Sequence, residues 1–483
     1  MRLPRSFCLL LILGAGASPA LRAQSPAVSP AEGTSITIGA LDLGGAAAQN
    51  PLFGAVPGAR ATAGVLQLSL ADAINRGLKY NLGVLLQEQN LRSAQGARGR
   101  VLSELMPKLR ANLSDTGQQT NLAAFGFTDF PGINPIVGPF NVFDARLVLT
   151  QPLLDFRAWN RSKAETENYR AEEHSLTNTR ELVVLVCGTV YLQAVAGKSR
   201  IDSARAQLET AQALHNLASD RRKAGLAAGI DVLRAQVQLR SQQQRLIVAE
   251  NDFAKAKLIL ARAIGLPADQ EFALTDTVPY APFPAPTLDT ALEQAYRNRG
   301  DYQAALDRVR AAERQRKAAV GRGRPSLNLD AEYAATGQGV DQNHGTFAVA
   351  ASMRIPIFEG GRVRGEVLEA DAALRKRQAE AEELRARIHF EIQTSILDLK
   401  SAAERVNVAR DAQDLAEEQV RETRDRFAAG VTNTIEVVQS QEALAAASEN
   451  YISSLYAFNL AKGTLARGLG IGEDQFQKML RGK

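Results

Sequence analysis

Ala224-Gly225-Leu226-Ala227-Ala228-Gly229-Ile230-Asp231-Val232 and Ala429-Gly430-Val431-Thr432-Asn433-Thr434-Ile435-Glu436-Val437 are the two stretches that decide the fold. They are one motif written twice, 205 residues apart. The match runs without a gap from Arg221–Leu266 over Arg426–Ile471, with Gln236 on Gln441, Lys257 on Lys462, Leu260 on Leu465 and Gly265 on Gly470. Upstream the register becomes 218, and Leu70, Ala73, Arg92 and Pro107 fall on Leu288, Ala291, Arg310 and Pro325. A period of about 200 residues is far too long for a solenoid, so it reads as an internal duplication of a domain.

The residues around the motif set its local structure. There is no proline from Leu153 to Leu266 or from Ile357 to Lys483, and apolar residues recur at helical spacing, as in Leu399, Ala402, Val406, Ala409, Ala416 and Val420. One helix over 157–223, at about 1.5 Å per residue, is roughly 100 Å long. Ala-rich helices of that length exist by packing on one another as coiled coils. Gly225 and Gly430 suit a left-handed C-cap, after which a second helical pattern returns to Gly265 and Gly470. They are therefore expected as the tip turns of two antiparallel helical hairpins.

Toward the start of each copy the period changes. Leading helices over Leu70–Leu105 and Leu288–Val320 are expected to stop before Pro107 and Pro325. Beyond them the apolar residues alternate. Leu327, Leu329, Ala331 and Tyr333 share one face, then Phe347, Val349, Ala351, Met353 and Ile355; the first copy has Leu109, Ala111 and Leu113, then Phe143, Ala145, Leu147 and Leu149. Strands of about ten residues, apolar on one face, carry the pattern of a transmembrane barrel, although a soluble sheet packed on a helix alternates in the same way. Strand-to-helix turns are expected at Pro152 and at Pro356, Gly360 and Gly361. The first hairpin is 14 residues longer, includes Phe125, Phe127, Phe130 and Phe140, and predicts a larger cell-exterior loop. Phe156 and Trp159 fit either a membrane boundary or core packing.

Residues 1–23 read as a signal peptide: Arg2 and Arg5, an apolar run from Phe7 to Leu13, then small residues ending at Ala20 or Ala23. Removing it takes Cys8 and three arginines, so the net charge falls from +5 to +2 and basicity gives no argument for nucleic acid. Cys187 is left alone in an apolar setting, an inert packed thiol without a disulfide partner. Leu182–Ala196 is too short for the roughly 20 residues of a spanning helix. The remaining divisions are an extended segment over 24–66, repeat one over 67–266, a Pro-rich linker over 267–287 and repeat two over 288–483.

Each half supplies one β-hairpin, so a chain has four strands. Membrane barrels start at roughly eight, because closure must satisfy every backbone group. One chain cannot close a barrel. The fold expected is a mixed α+β membrane protein with a β-barrel shared between chains, continued by a long α-helical coiled-coil tunnel.

Taken together the residues resemble the TolC-type outer membrane efflux protein family over essentially the whole mature chain. The matching motifs are Leu70 to Ile74 and Leu288 to Leu292, Met106-Pro107 and Arg324-Pro325, Gln151 to Asp155, Ile355 to Gly361, and the two tip motifs, in the same order twice. The resemblance implies a homotrimer with a twelve-stranded barrel among outer membrane lipids, a tunnel across the periplasm, and docking onto a periplasmic adaptor protein and an inner-membrane transporter. It also implies that acidic residues of the second repeat narrow the tunnel at the tips. Glu436 is the matching position, with Gln439 where relatives often carry a second acid and Asp231 as the counterpart in repeat one. Three Glu436 carboxylates would attract cations; a solvated residue in a helix first turn, favoured by the macrodipole, fits Glu436 equally.

The four histidines are isolated, no nucleophile motif or phosphate loop is present, and no catalytic, metal or cofactor site is expected. The chain reads as a passive duct for export. A periplasmic adaptor or coiled-coil scaffold without a pore is the alternative, and would be expected to show one hairpin flanked by small β-domains.

Overall fold

The computed structural model describes residues 50–58, 64–126, 134–276 and 280–472. The signal peptide, residues 24–49, Phe127, Phe130 and the last eleven residues of repeat two lie outside that range.

The chain runs through β1 (Leu66–Leu68), α1 (Leu70–Tyr80), α2 (Leu82–Leu102), β2 (Lys108–Asn121), β3 (Ile136–Leu154), α3 (Phe156–Lys223) and α4 (Gly229–Ala263). It continues with β4 (Phe272–Leu274), α5 (Leu288–Asn298), α6 (Gly300–Gly321), β5 (Ser326–Gly337), β6 (Asn343–Arg354), α7 (Arg362–Ala428) and α8 (Thr434–Gly468). The proline-free stretches are rods of 68 and 67 residues.

Each leading helix, expected as one piece, is broken once. Asn81 and Arg299 both take extended backbone, with ψ of 133° and 121°. Both breaks are fixed by buried polar side chains. Asn81 accepts from the Gly83 N–H at 2.9 Å and donates to the Leu52 carbonyl at 2.7 Å. Arg299 donates to Asp301 and, at 2.6 Å, to Glu391. Burial makes these bonds matter, since a buried polar group left unpaired costs about 1–3 kcal/mol.

Two segments read as connectors carry structure. Residues 50–58 pack on repeat one, with Phe53 buried and the Val56 and Gly58 N–H groups donating to the Tyr80 and Gly265 carbonyls. In the Pro-rich linker, β4 pairs in parallel with β1. Asp276 then accepts from the Leu70 N–H and the Tyr191 hydroxyl, tying the linker to the start of α1.

The other strands form one antiparallel sheet in the order β2-β3-β5-β6. Its register aligns Ala111, Leu147, Tyr333 and Phe347 in one cross-strand row and Arg110, Val148, Glu332 and Ala348 in the next. The sheet is therefore apolar on one face, with Leu109, Leu113, Phe347 and Val349 all exposed. On the polar face Arg146 bridges Asp144 and Glu332 at 2.7 Å. The strands run 12 to 19 residues, so part of the extra length of the first hairpin is strand rather than loop. Pro152, expected in a turn, lies within β3 opposite Asn328, and the register shifts just beyond it. A proline cannot donate to a ladder and is accommodated at such an irregularity.

The helices keep the strand order. α2 leads into β2, β3 into α3, α6 into β5 and β6 into α7, and neighbouring helices pack as α2, α3, α6 and α7. Farther along, α3 packs on α4 and α8, and α8 on α7. Where these groupings meet, Val183–Gly197 of α3 is almost wholly buried. An 18-residue window of α3 is apolar enough for a membrane span, longer than the sequence reading allowed, but 78% of it is buried inside the fold. Cys187 sits here against Gly77, and burial pushes its thiol up to about 12.

Candidate functional site

Both hairpin tips use the same termination. After α3 the Leu226 N–H donates to the Arg221 carbonyl and the Gly225 N–H to the Arg222 carbonyl; after α7 the Val431 N–H donates to Arg426 and the Gly430 N–H to Phe427. These are Schellman motifs, and they require left-handed backbone. Gly225 and Gly430 supply it at φ of 74° and 78°. The apolar residue that follows each glycine, Leu226 or Val431, is about 70% exposed.

The two tips form one body. Leu214 and Ala218 of α3, Ala235 of α4, Phe427 of α7 and Val437 of α8 make a shared apolar cluster. Asp231 and Glu436 stand in the first turns of α4 and α8, next to the cluster residues Val232 and Val437. Asp231 lies 3.7 Å from Arg234, and Glu436 lies 3.9 Å from Arg426. Asn433 caps α8 by accepting from the Ile435 and Glu436 N–H groups. Gln439 is exposed on the following turn. At the opposite end of the rods, Pro356 lies in the turn between β6 and α7, and Gly360 and Gly361 close it at φ of 58° and 85°.

Two polar links between the hairpins were not foreseen. Arg221 donates to the Phe427 carbonyl and lies over the Phe427 ring, 5.1 Å from its centroid. Glu442 of α8 accepts from Gln238 at 2.7 Å, from Gln242, and from Arg245, all on α4. Partial burial raises the Glu442 pKa, but the hydrogen bonds from Arg245 and Gln238 outweigh it and hold the carboxyl below its usual range. The sequence carried one signal for this: in the repeat alignment Glu442 falls on Val237, a polar residue where the other copy is apolar.

A second charged cluster joins α3, α6, α7 and α8. Burial opposes the charge on Asp301, yet Arg299 and Arg467 hold its carboxyl far below the usual range. Glu181, 4.0 Å from Arg467, goes the other way. Burial pushes its carboxyl up to about 7, with Arg467 opposing.

The family profile described as Outer membrane efflux protein matches residues 73–266 and 291–470, one block in each half. The chain belongs to the outer membrane efflux protein family. It is an outer-membrane efflux channel whose helical part lies in the periplasm. The pyoverdine export outer membrane protein OpmQ of Pseudomonas putida is 25% identical over 68% of this chain and 71% of its own. Outer membrane protein TolC of Escherichia coli is 22% identical over 72% and 73%. Among solved structures, the outer membrane protein VceC of Vibrio cholerae shares the channel's fold, with a TM-score of 0.70, 20% identity, and coverage of 83% of this chain and 96% of that one. The adaptor alternative gives way to these matches.

Proposed function

We propose that three copies of the chain share one twelve-stranded barrel and one helical tunnel, forming a passive duct in a tripartite efflux or type I secretion system. The observation that carries this reading is the four-stranded sheet with an apolar outer face, whose edge strands β2 and β6 pair with no further strand among the described residues. Edges cannot face hydrocarbon, so each must meet another copy. The two halves, 67–266 and 288–483, arise from an internal duplication, and the linker 267–287 joins them.

In this reading the hairpin tips are the periplasmic aperture. Glu436 forms a ring of three carboxylates, with Gln439 one turn farther on and Asp231 tightening the constriction. Opening is a movement of the hairpins about the tip turns Gly225 and Gly430. Pro152, Pro356, Gly360 and Gly361 mark where barrel gives way to tunnel. The exposed Leu226 and Val431 offer the tips to a periplasmic adaptor, which brings an inner-membrane transporter as the energy source. The names of relatives speak of pyoverdine export and alkaline protease secretion, a spread that assigns this chain to export without choosing its cargo.

The test is the oligomeric mass of the full-length chain extracted from outer membranes in mild detergent, corrected for bound detergent. A trimer is expected; a water-soluble monomer would overturn the reading.

A further inference from the structure

The junction between β3 and α3 carries a pair of aromatic residues, each topped by a cation. Phe156 begins α3, and the Arg324 guanidinium lies 5.2 Å from its ring centroid. One turn on, the Lys163 ammonium lies 4.2 Å from the ring of Trp159. Phe156, Trp159 and Lys163 share one helix face by their spacing of three and four. The approach is set by Gly321 at the end of α6, where a Cβ would come within 3.0 Å of the backbone of Phe156 and Arg157. A larger residue there would have to push the two backbones apart by a few tenths of an ångström.

Three facts point to what this surface meets. Three nearby arginines are paired, Arg161 with Glu104, Arg322 with Glu366 and Arg362 with Glu359, whereas among the described residues Lys163 and Arg324, like Arg157, have no carboxylate within ion-pair distance. Trp159 is 51% exposed on α3, which packs between α2 and α6 and so away from the outer sides of the helices that continue the edge strands β2 and β6. The adjoining chain is apolar and bare, with Leu153 exposed just before α3 and Ile357 and Phe358 almost fully exposed in the β6–α7 turn. An aromatic ring with an unpaired cation, set where an apolar sheet gives way to charged helices, matches the chemistry of a lipid headgroup boundary.

We infer that Phe156, Trp159, Lys163 and Arg324 form a binding site for an anionic phospholipid of the periplasmic leaflet, a site that rests on the reading of the sheet as membrane-spanning. Lys163 and Arg324 receive the headgroup phosphate, and the rings and Leu153 lie along the acyl chains. A cation near an anionic surface favours it by about 1 kcal/mol, roughly fivefold in partitioning.

Trp159 is the single tryptophan of the chain, so its fluorescence reports on this site alone. The full-length protein is reconstituted in phosphatidylcholine vesicles containing equal mole fractions of acyl-brominated phosphatidylglycerol or acyl-brominated phosphatidylcholine. Brominated phosphatidylglycerol is expected to reach half-quenching at a mole fraction at least about fivefold lower. The Lys163→Gln/Arg324→Gln variant is expected to lose that preference while still inserting, and added inorganic phosphate to leave it in place. Equal quenching by both lipids, or none in protein that resists carbonate extraction, overturns the site and leaves the spanning sheet intact. Loss of the preference in inorganic phosphate overturns the lipid as occupant. Protein extracted by carbonate and unquenched overturns the spanning sheet and the site together. Should the double variant fail to insert, the comparison of the two lipids on the unmodified chain still decides.

Discussion

At the residue scale, the duplicated motif locates the tips, but the polar contacts that hold them are written in the departures from the repeat. Glu442 is the clearest case. Its carboxyl is held low by partners on α4, so the link is intact above the unfolded carboxylate pKa and is lost as the pH falls through the depressed folded value. Glu442→Gln is expected to weaken the tie between hairpins by about 1 kcal/mol and to raise single-channel conductance in planar bilayers, with less further rise on acidification than the parent shows. Glu181 has the opposite sign. Its carboxyl is raised from 4.5 to about 7, so its contribution to stability is present below the unfolded value and is lost as the pH rises toward 7. Glu181→Gln should therefore raise the melting temperature more at pH 8 than at pH 5, by the equivalent of about 1–3 kcal/mol. Differential scanning of both proteins at both pH values checks it. The repeat alignment marks Glu442 only as a departure and does not mark Glu181 at all, because what distinguishes each is a partner more than 190 residues away.

At the element scale, far more was legible. Rods ending at Gly225 and Gly430, returning helices ending at Gly265 and Gly470, and alternating strands follow from period and punctuation alone, since local backbone chemistry imposes them. The breaks at Asn81 and Arg299 did not follow, because the apolar period continues across them and only a buried network makes an extended residue favourable there. The tip turns give a test at this scale. Gly430→Val forces a β-branched residue into left-handed backbone, at a cost of at least about 1 kcal/mol. Faster proteolysis is expected at the second tip, while extraction with the membrane fraction stays unchanged. Cys187 supplies a control for cysteine locks placed at the tips. Buried and pushed up to about 12, it should remain unlabelled by maleimide in the native protein and label fully once unfolded, so it can stay in place during such experiments.

At the scale of the whole molecule, the order β2-β3-β5-β6 is continued by α2, α3, α6 and α7, so each strand hands its position to a helix of the tunnel wall. The sequence foretold the four strands of the sheet, but not the packing of residues 50–58 and β4 over the middle of the rods, which depends on single backbone hydrogen bonds that no periodicity records. The two free edges of the sheet also bear on heredity. In the proposed shared barrel a subunit completes its walls only beside its siblings, so an allele that damages the tips yet spares the edges would still enter every assembly it can reach. Coexpressed with the intact allele, such a lesion is expected to behave as dominant, lowering export well below the level set by the intact gene dose, whereas a lesion that blocks edge pairing is expected to be recessive.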